Sequence, residues 1–209
     1  MTETSNKKHE KFDLFLKSYK PVVRPKDTRT WMVDAFKLNA RFQGEFRYLR
    51  PYLPRKGGTW GDDILMHLGR VCETTQNLDP EALSQIKKLY QEHSMLFRTG
   101  RFGDEYLDSI ETIALFFIYH DIKTIWLSSA YHETIRSLTE IVCSRASRNK
   151  SVPLRYLINS LFCALSVEQN QIQRTFTVYE RHVSETLVKD LSYGGILTGL
   201  PNGGRGKKS

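Results

Sequence analysis

Aromatic rings and arginines are interleaved along one short stretch of the chain, FQGEFRYLRPYLPRKGG, residues 42–58. Cations can follow phosphates and an exposed ring can stack on a base, so this composition is typical of a nucleic-acid-binding surface. Arginine predominates over lysine here, which favours bidentate phosphate contacts. A second basic stretch, SRASRNKS, residues 144–151, together with Arg155, would extend the surface if the fold brings it near. The predicted contact residues are Lys37, Arg41, Arg47, Tyr48, Arg50, Tyr52, Arg55, Lys56, Arg145, Arg148, Lys150, Arg205, Lys207 and Lys208.

The same residues also have an ordinary structural explanation. Phe42 and Phe46 would then belong to the core and the arginines to a solvated helix face, which leaves Tyr48 and Tyr52 as the rings open to a ligand. The second basic stretch would be a solubilising turn. Charge along the sequence does not separate the two explanations, because it records where cations are abundant and not what they contact.

The most enzyme-like element is the dipeptide His120-Asp121, which ends the apolar segment IALFFIYHD. It resembles the metal-binding dipeptide of the HD-domain phosphohydrolases, a helical family that arranges a His, the His-Asp pair and a later Asp around a divalent metal. The resemblance implies His93 and Asp190 as the outer ligands and a metal-activated water that attacks a phosphoester. The long basic N-terminal region has no counterpart in that pattern. A metal-dependent phosphohydrolase is therefore the alternative function.

Other catalytic signatures are absent from the sequence. It has no GxSxG nucleophile motif, no phosphate-cradling glycine loop followed by a helix, no HExxH and no dinucleotide fingerprint. Cys72, Cys143 and Cys163 stand apart in apolar contexts without zinc spacing, so we expect them to be reduced and buried. The sequence favours a non-enzymatic protein with no catalytic residue, no cofactor and no bound metal.

The net charge of +8 is concentrated near the N-terminus. Residues 20–56 hold ten basic and three acidic residues, a net charge of +7, whereas residues 57–199 hold fourteen and seventeen, a net charge of −3. The last ten residues add +3. This asymmetry predicts a positive face that attracts polyanions and releases their counterions. An anionic membrane surface is the alternative partner, because it is attracted by the same electrostatics.

The N-terminal sequence lacks the apolar core of a signal peptide, and the most apolar window, residues 107–127, contains several charges. We therefore expect an intracellular protein, cytoplasmic or nuclear, without a transmembrane segment.

Helical periodicity recurs along the chain, and no segment alternates as a half-buried strand does. Pro, Gly and capping residues suggest where the helices begin and end. The expected helices are a short amphipathic one over residues 6–19, one from Thr30 to about Arg50, one over Thr59 to Gln76, one between Asp79 and Gly100, two between Asp104 and about Ser147 divided near Ser128-Ser129, and a long region from Pro153 to about Tyr193 with a break near Gln169.

These patterns predict an all-α fold, a single multi-helix globular domain of about six to eight helices. Residues 1–29 would form an N-terminal arm, residues 30–195 the helical domain, and residues 196–209 a flexible basic C-terminal tail. The apolar stripe over residues 6–19 suggests self-association. The predicted function is that of a non-enzymatic structural, assembly or adaptor protein that binds nucleic acid, with RNA as the expected partner. The arm and the composition also fit a viral packaging or virion component.

Overall fold

Helices make up nearly all of the chain that a computed structural model describes, which is residues 2–23, 40–54, 58–100, 102–148 and 152–193. No strand occurs within these ranges, and the prediction of an all-α fold is confirmed. The α-helices are α1 (Thr2–Val23), α2 (Ala40–Leu49), α3 (Gly58–Val71), α4 (Glu73–Gln76), α5 (Pro80–Thr99), α6 (Asp104–Tyr119), α7 (Thr124–Ala146) and α8 (Leu154–Tyr193), and a 3-10 helix (Arg50–Tyr52) follows α2.

Helix α6 lies at the centre of the domain. Helices α1, α5 and α8 pack around it, and residues 114–117 of α6 are fully buried, as expected of a helical segment that is apolar on every side. Helix α8 also contacts α2 and α7, while α3 packs on α5 and α7. The buried side chains form one continuous cluster, so the helices share a single core. Within the described ranges, none of the helices has both the length and the apolar character needed to cross a membrane.

Helix α5 begins and ends where the sequence predicts. Asp79 caps the N-terminus, because its Oδ1 accepts a hydrogen bond from the Ala82 N–H at 2.8 Å, and Pro80 occupies the first helical position. Gly100 ends the helix in the left-handed region with φ 67°. Its position is also crowded, since a Cβ there would lie 2.8 Å from Cδ1 of Phe46.

Two predicted boundaries between Thr59 and Ser147 are wrong. The segment from Thr59 to Gln76 is not one helix, because Cys72 adopts an extended conformation (φ −125°, ψ 110°) and separates α3 from α4. The break between α6 and α7 lies at residues 120–123 and not near Ser128-Ser129. Asp121 makes this turn with φ 55°, a left-handed conformation that the short polar side chain of Asp tolerates better than most.

Helix α8 has no break near Gln169 and continues for 40 residues, a length of about 60 Å. Two of the polar residues beside the predicted break point into the protein instead. Glu168 and Gln171 are buried and hydrogen-bonded to side chains of other helices, so their polarity marks an internal network and not a helix end.

The N-terminal segment is part of the folded domain. Helix α1 is longer than predicted and contains Pro21 in its last turn, so the hydrogen bond lost with its N–H lies near the end of the helix. Phe12 is buried and packs edge-on against Phe116 at 5.6 Å between ring centroids. Phe15 packs against Tyr179 of α8 at 6.0 Å. The apolar stripe that suggests self-association is thus largely covered by the chain's own helices.

Helix α2 agrees with the prediction over the part that the structure describes. Phe46 and Leu49 are fully buried, as the predicted core stripe requires. Thr30, the predicted start of this helix, lies outside the described residues, and so do the predicted basic tail and the segment that follows α1. Among the cysteines, Cys163 is exposed, contrary to prediction, because it lies on the outer face of α8.

We predict that Gly100→Ala lowers the free energy of unfolding by about 1–3 kcal/mol, because Ala is strained at this φ and its Cβ would press on Phe46. The matched control is Gly69→Ala in α3, where a Cβ meets nothing within 4 Å. That change should raise stability by about 0.5–1 kcal/mol through helix propensity. Urea titrations of the two variants would contradict the prediction if their midpoints moved in the same direction.

Candidate nucleic-acid interface

The basic segments come together at one end of the helical domain. Helices α7 and α8 are consecutive and pack on each other, so the last turn of α7 and the first turn of α8 lie at the same end. The 3-10 helix that follows α2 packs against α7, which places Arg50 at this end as well. The sequence could not show this proximity, because about ninety residues separate the two segments in the chain.

Arg145 joins the two segments directly. Its Nη1 donates hydrogen bonds to the backbone oxygens of Tyr52 at 3.0 Å and Leu53 at 2.6 Å. These carbonyls end the 3-10 helix, and a charged donor satisfies them more strongly than a neutral one does. Arg145 is therefore a linking residue as well as a cation, and Arg148 follows in the next turn, exposed to solvent.

Cations and rings of this region point in opposite directions. Arg47 and Arg50 are exposed, whereas Phe46 and Leu49, each of which directly precedes one of them, are buried. This is the arrangement that helical spacing predicts, in which the rings and aliphatic side chains anchor the segment and the guanidinium groups face outward.

The two tyrosines of the segment differ. Tyr48 is 55% exposed and can meet a ligand. Tyr52 is only 5% exposed, so its ring belongs to the core and the prediction that it contacts nucleic acid is not supported by its position. The burial of Tyr52 follows from the 3-10 turn, which ends α2 and rotates the ring inward against the domain.

Several predicted contact residues have no described side chain. Arg41 belongs to α2, and its side chain lies outside the description. The others lie outside the described residues altogether, and they are Lys37, Arg55, Lys56, Lys150, Arg205, Lys207 and Lys208.

Helix α8 adds a ring that the prediction omits. Tyr156 is 46% exposed, and the Arg155 guanidinium carbon lies 5.0 Å from the centre of its ring, a cation–π contact. The signal in the sequence is the pair Arg155-Tyr156 two residues after Pro153, at the start of a helix with no acidic residue in its first turn. We call the surface formed by Arg47, Tyr48, Arg50, Arg145, Arg148, Arg155 and Tyr156 the basic end.

The residues of the phosphohydrolase alternative do not converge. The two ring nitrogens of His93 lie 2.7 Å from Ser109 Oγ and 3.0 Å from Glu168 Oε1. His120 follows α6, eleven residues beyond Ser109, which corresponds to about 16 Å along a helix. A single metal cannot bind both histidines across that distance. No cluster of three or more potential metal ligands is found among the described residues, and the side chain of Asp190 lies outside the description.

His93 belongs to a buried polar network in the middle of the domain. Glu168 is 0% exposed, and its Oε1 accepts a hydrogen bond from the Tyr106 hydroxyl at 2.5 Å as well as facing His93. Tyr106 also stacks on the His93 ring at 5.0 Å between centroids. The network joins α5, α6 and α8 through groups that would be costly to bury unpaired, which gives His93 a structural explanation.

Neither a protein-family model, nor a curated protein, nor a solved structure matches the chain in comparisons with known proteins. The functional interpretation therefore depends on the surface itself.

We predict that Glu168→Leu lowers the free energy of unfolding by about 3–5 kcal/mol, because it leaves His93 and Tyr106 without their buried acceptor. Glu133→Leu is the matched control, since Glu133 forms an exposed ion pair with Arg136 and should contribute little. Similar urea midpoints for the two variants would show that the buried carboxylate does not stabilise the domain.

We also predict a loss of stability at alkaline pH. Burial, with a further contribution from the charge of Glu168, raises the pKa of Tyr90, Tyr106 and Tyr131 well above the ordinary value of 10.0. Each of these tyrosines has a higher pKa in the folded chain than in the unfolded chain. The free energy of unfolding is therefore unaffected by their titration below about pH 10, and it falls above that pH by about 1.4 kcal/mol per pH unit for each tyrosine. Tyrosinate absorbance should show these three ionising only with unfolding. Ionisation of all tyrosines before unfolding would contradict this.

Proposed function

We propose that the protein binds nucleic acid, with RNA as the expected partner, through the basic end and without catalysing a reaction on it. The observation that carries the proposal is the contact of Arg145 with the Tyr52 and Leu53 carbonyls. It unites two cationic segments that are distant in the sequence into one surface, whereas separate solvated turns would not need such a link.

The chemistry of the basic end suits a polyanion. Arg47, Arg50, Arg148 and Arg155 are exposed, and arginine forms bidentate contacts with phosphate. If each neutralised one phosphate of a single strand, the logarithm of the binding constant would fall with the logarithm of salt concentration at a slope of about −3. Exposed tyrosines beside these cations add a surface on which bases can stack.

A structural or adaptor role is the form of this function that we propose, because the arginines and tyrosines of the basic end are side chains that hold phosphates and stack on bases. Packaging of a nucleic acid, as in a virion component, is the specific form of this role that we propose. The phosphohydrolase alternative receives no support from the separated positions of His93 and His120.

The test is a salt-titrated binding measurement with a short single-stranded uridine oligonucleotide. We expect Arg47→Glu combined with Arg50→Glu to weaken binding at least about tenfold and to reduce the salt slope by about 1.4. Lys87→Glu combined with Lys88→Glu is the control, because these exposed lysines of α5 allow the same charge change away from the basic end. The control should keep most of the affinity.

Two results would contradict the proposal. One is binding by the wild-type protein without steep salt dependence, and the other is an equal loss in the two charge-reversal variants. Phosphatidylserine vesicles provide the membrane comparison. Binding to these vesicles without binding to the oligonucleotide would identify the basic end as a lipid-binding surface instead.

A further inference from the structure

The outer face of α8 carries two exposed rings. Tyr156 is 46% exposed and Phe162 is 44% exposed, and the exposed side chains of Arg155, Asn159 and Cys163 lie among them. Positions seven apart return to nearly the same side of a helix, so Arg155 aligns with Phe162 and Tyr156 aligns with Cys163. These five residues form one continuous strip, which we call the α8 strip, and it begins at the basic end.

The α8 strip contains no acidic group. The sequence has no Asp or Glu between Glu140 and Glu168, and Glu168 is fully buried in the network with His93. The helix therefore presents no carboxylate of its own to an anionic strand over this distance. The side chains are instead cationic, amide, thiol and aromatic, a combination that attracts phosphates at one end and tolerates bases along the rest.

The geometry of the rings suits bases. Tyr156 and Phe162 are six residues apart, which places them about 9 Å apart along the helix axis and about 120° apart around it, so the two rings can stack on two different bases of one strand. One side of Tyr156 carries the Arg155 guanidinium at 5.0 Å, an arrangement that also stacks on nucleobases.

We propose that the α8 strip binds unpaired bases of single-stranded RNA by stacking on Tyr156 and Phe162. The proposal rests on the proposed function, in which the arginines of the basic end hold the phosphates. Bases inside a duplex are paired and stacked on one another and are not available to side-chain rings, so the strip selects single strands over duplexes of the same length. Stacking accepts any base, and the selection therefore concerns strandedness more than sequence.

The experiment compares a uridine oligonucleotide with a duplex RNA of equal length over a series of salt concentrations, and we expect tighter binding of the single strand at each of them. We expect Tyr156→Ala and Phe162→Ala each to weaken single-strand binding about tenfold, with the salt slope unchanged because no cation is lost. Tyr156→Phe should retain the affinity, since the ring remains. Trp126→Ala is the control, because Trp126 is a partly exposed ring at the opposite end of α7.

Cys163 supplies an independent measurement. Its thiol is exposed within the α8 strip, so bound oligonucleotide should slow its alkylation by N-ethylmaleimide several-fold, as followed by mass spectrometry of the peptide. Sedimentation of Phe162→Ala tests whether the strip contacts a second copy of the chain instead.

The outcomes separate the two proposals. If the wild-type protein shows no salt-dependent binding of the oligonucleotide, the proposed function fails. If binding is steeply salt-dependent but both alanine variants bind as the wild type does and alkylation is unchanged, the function stands and the α8 strip is not the base-binding surface. A changed oligomeric state with unchanged RNA binding would likewise overturn the inference and mark the strip as a contact between copies.

Discussion

The pairing of one buried carboxylate determines how the longest helix lies in the domain. Glu168 has no exposed surface, and an unpaired charge or carboxyl group in that position would destabilise the fold severely. Its Oε1 is paired with His93 of α5 and Tyr106 of α6, and a second buried contact, from Gln171 to Glu111 at 2.6 Å, lies one turn further along α8. Apolar contacts tolerate small rotations, but directional hydrogen bonds on two turns do not. The rotation of α8 about its axis is therefore specified.

The rotation of α8 also determines which of its residues lie on the surface of the domain. Once Glu168 points inward, the strip with Arg155 and Phe162 has to point outward, and Leu157, Leu161 and Leu165 face the core. The basic end is specified in a second way, by the Arg145 guanidinium that binds the carbonyls ending the 3-10 helix. Two residues therefore orient the candidate interface. Buried Glu168 determines which face of α8 is exposed, and Arg145 holds the 3-10 helix against α7.

Much of the architecture could be predicted from local chemistry in the sequence. The ends of α5 are encoded by Asp79, Pro80 and Gly100, whose side chains or backbone preferences act within a few residues. The break at Asp121 could not be predicted in the same way, because neither glycine nor proline marks it. Helix α8 misleads for the opposite reason, since its internal polar residues resemble a loop until their partners on other helices are known.

In the candidate site, too, the features that depend on local sequence could be predicted and those that depend on tertiary contacts could not. Helical spacing correctly places Arg47 and Arg50 outward and Phe46 inward, because that relation is local. The burial of Tyr52 and the contact of Arg145 with its carbonyl oxygen depend on tertiary structure. The number and position of charges in the sequence do not predict them. Tyr156 is omitted from the prediction because the pair Arg155-Tyr156 at a helix start does not by itself reveal whether the ring is exposed. Its exposure becomes visible only in three dimensions.

The C-terminal end of α8 differs from the rest of the helix in the exposure of its side chains. Residues 184–189 are exposed on all sides of the helix, so this stretch owes its conformation to propagation from the packed turns before it and not to a core of its own. Shortening the protein from this end as far as residue 184 would remove no buried side chain from the part that is described. Changes of length are accordingly better tolerated there than anywhere in the first two thirds of the helix.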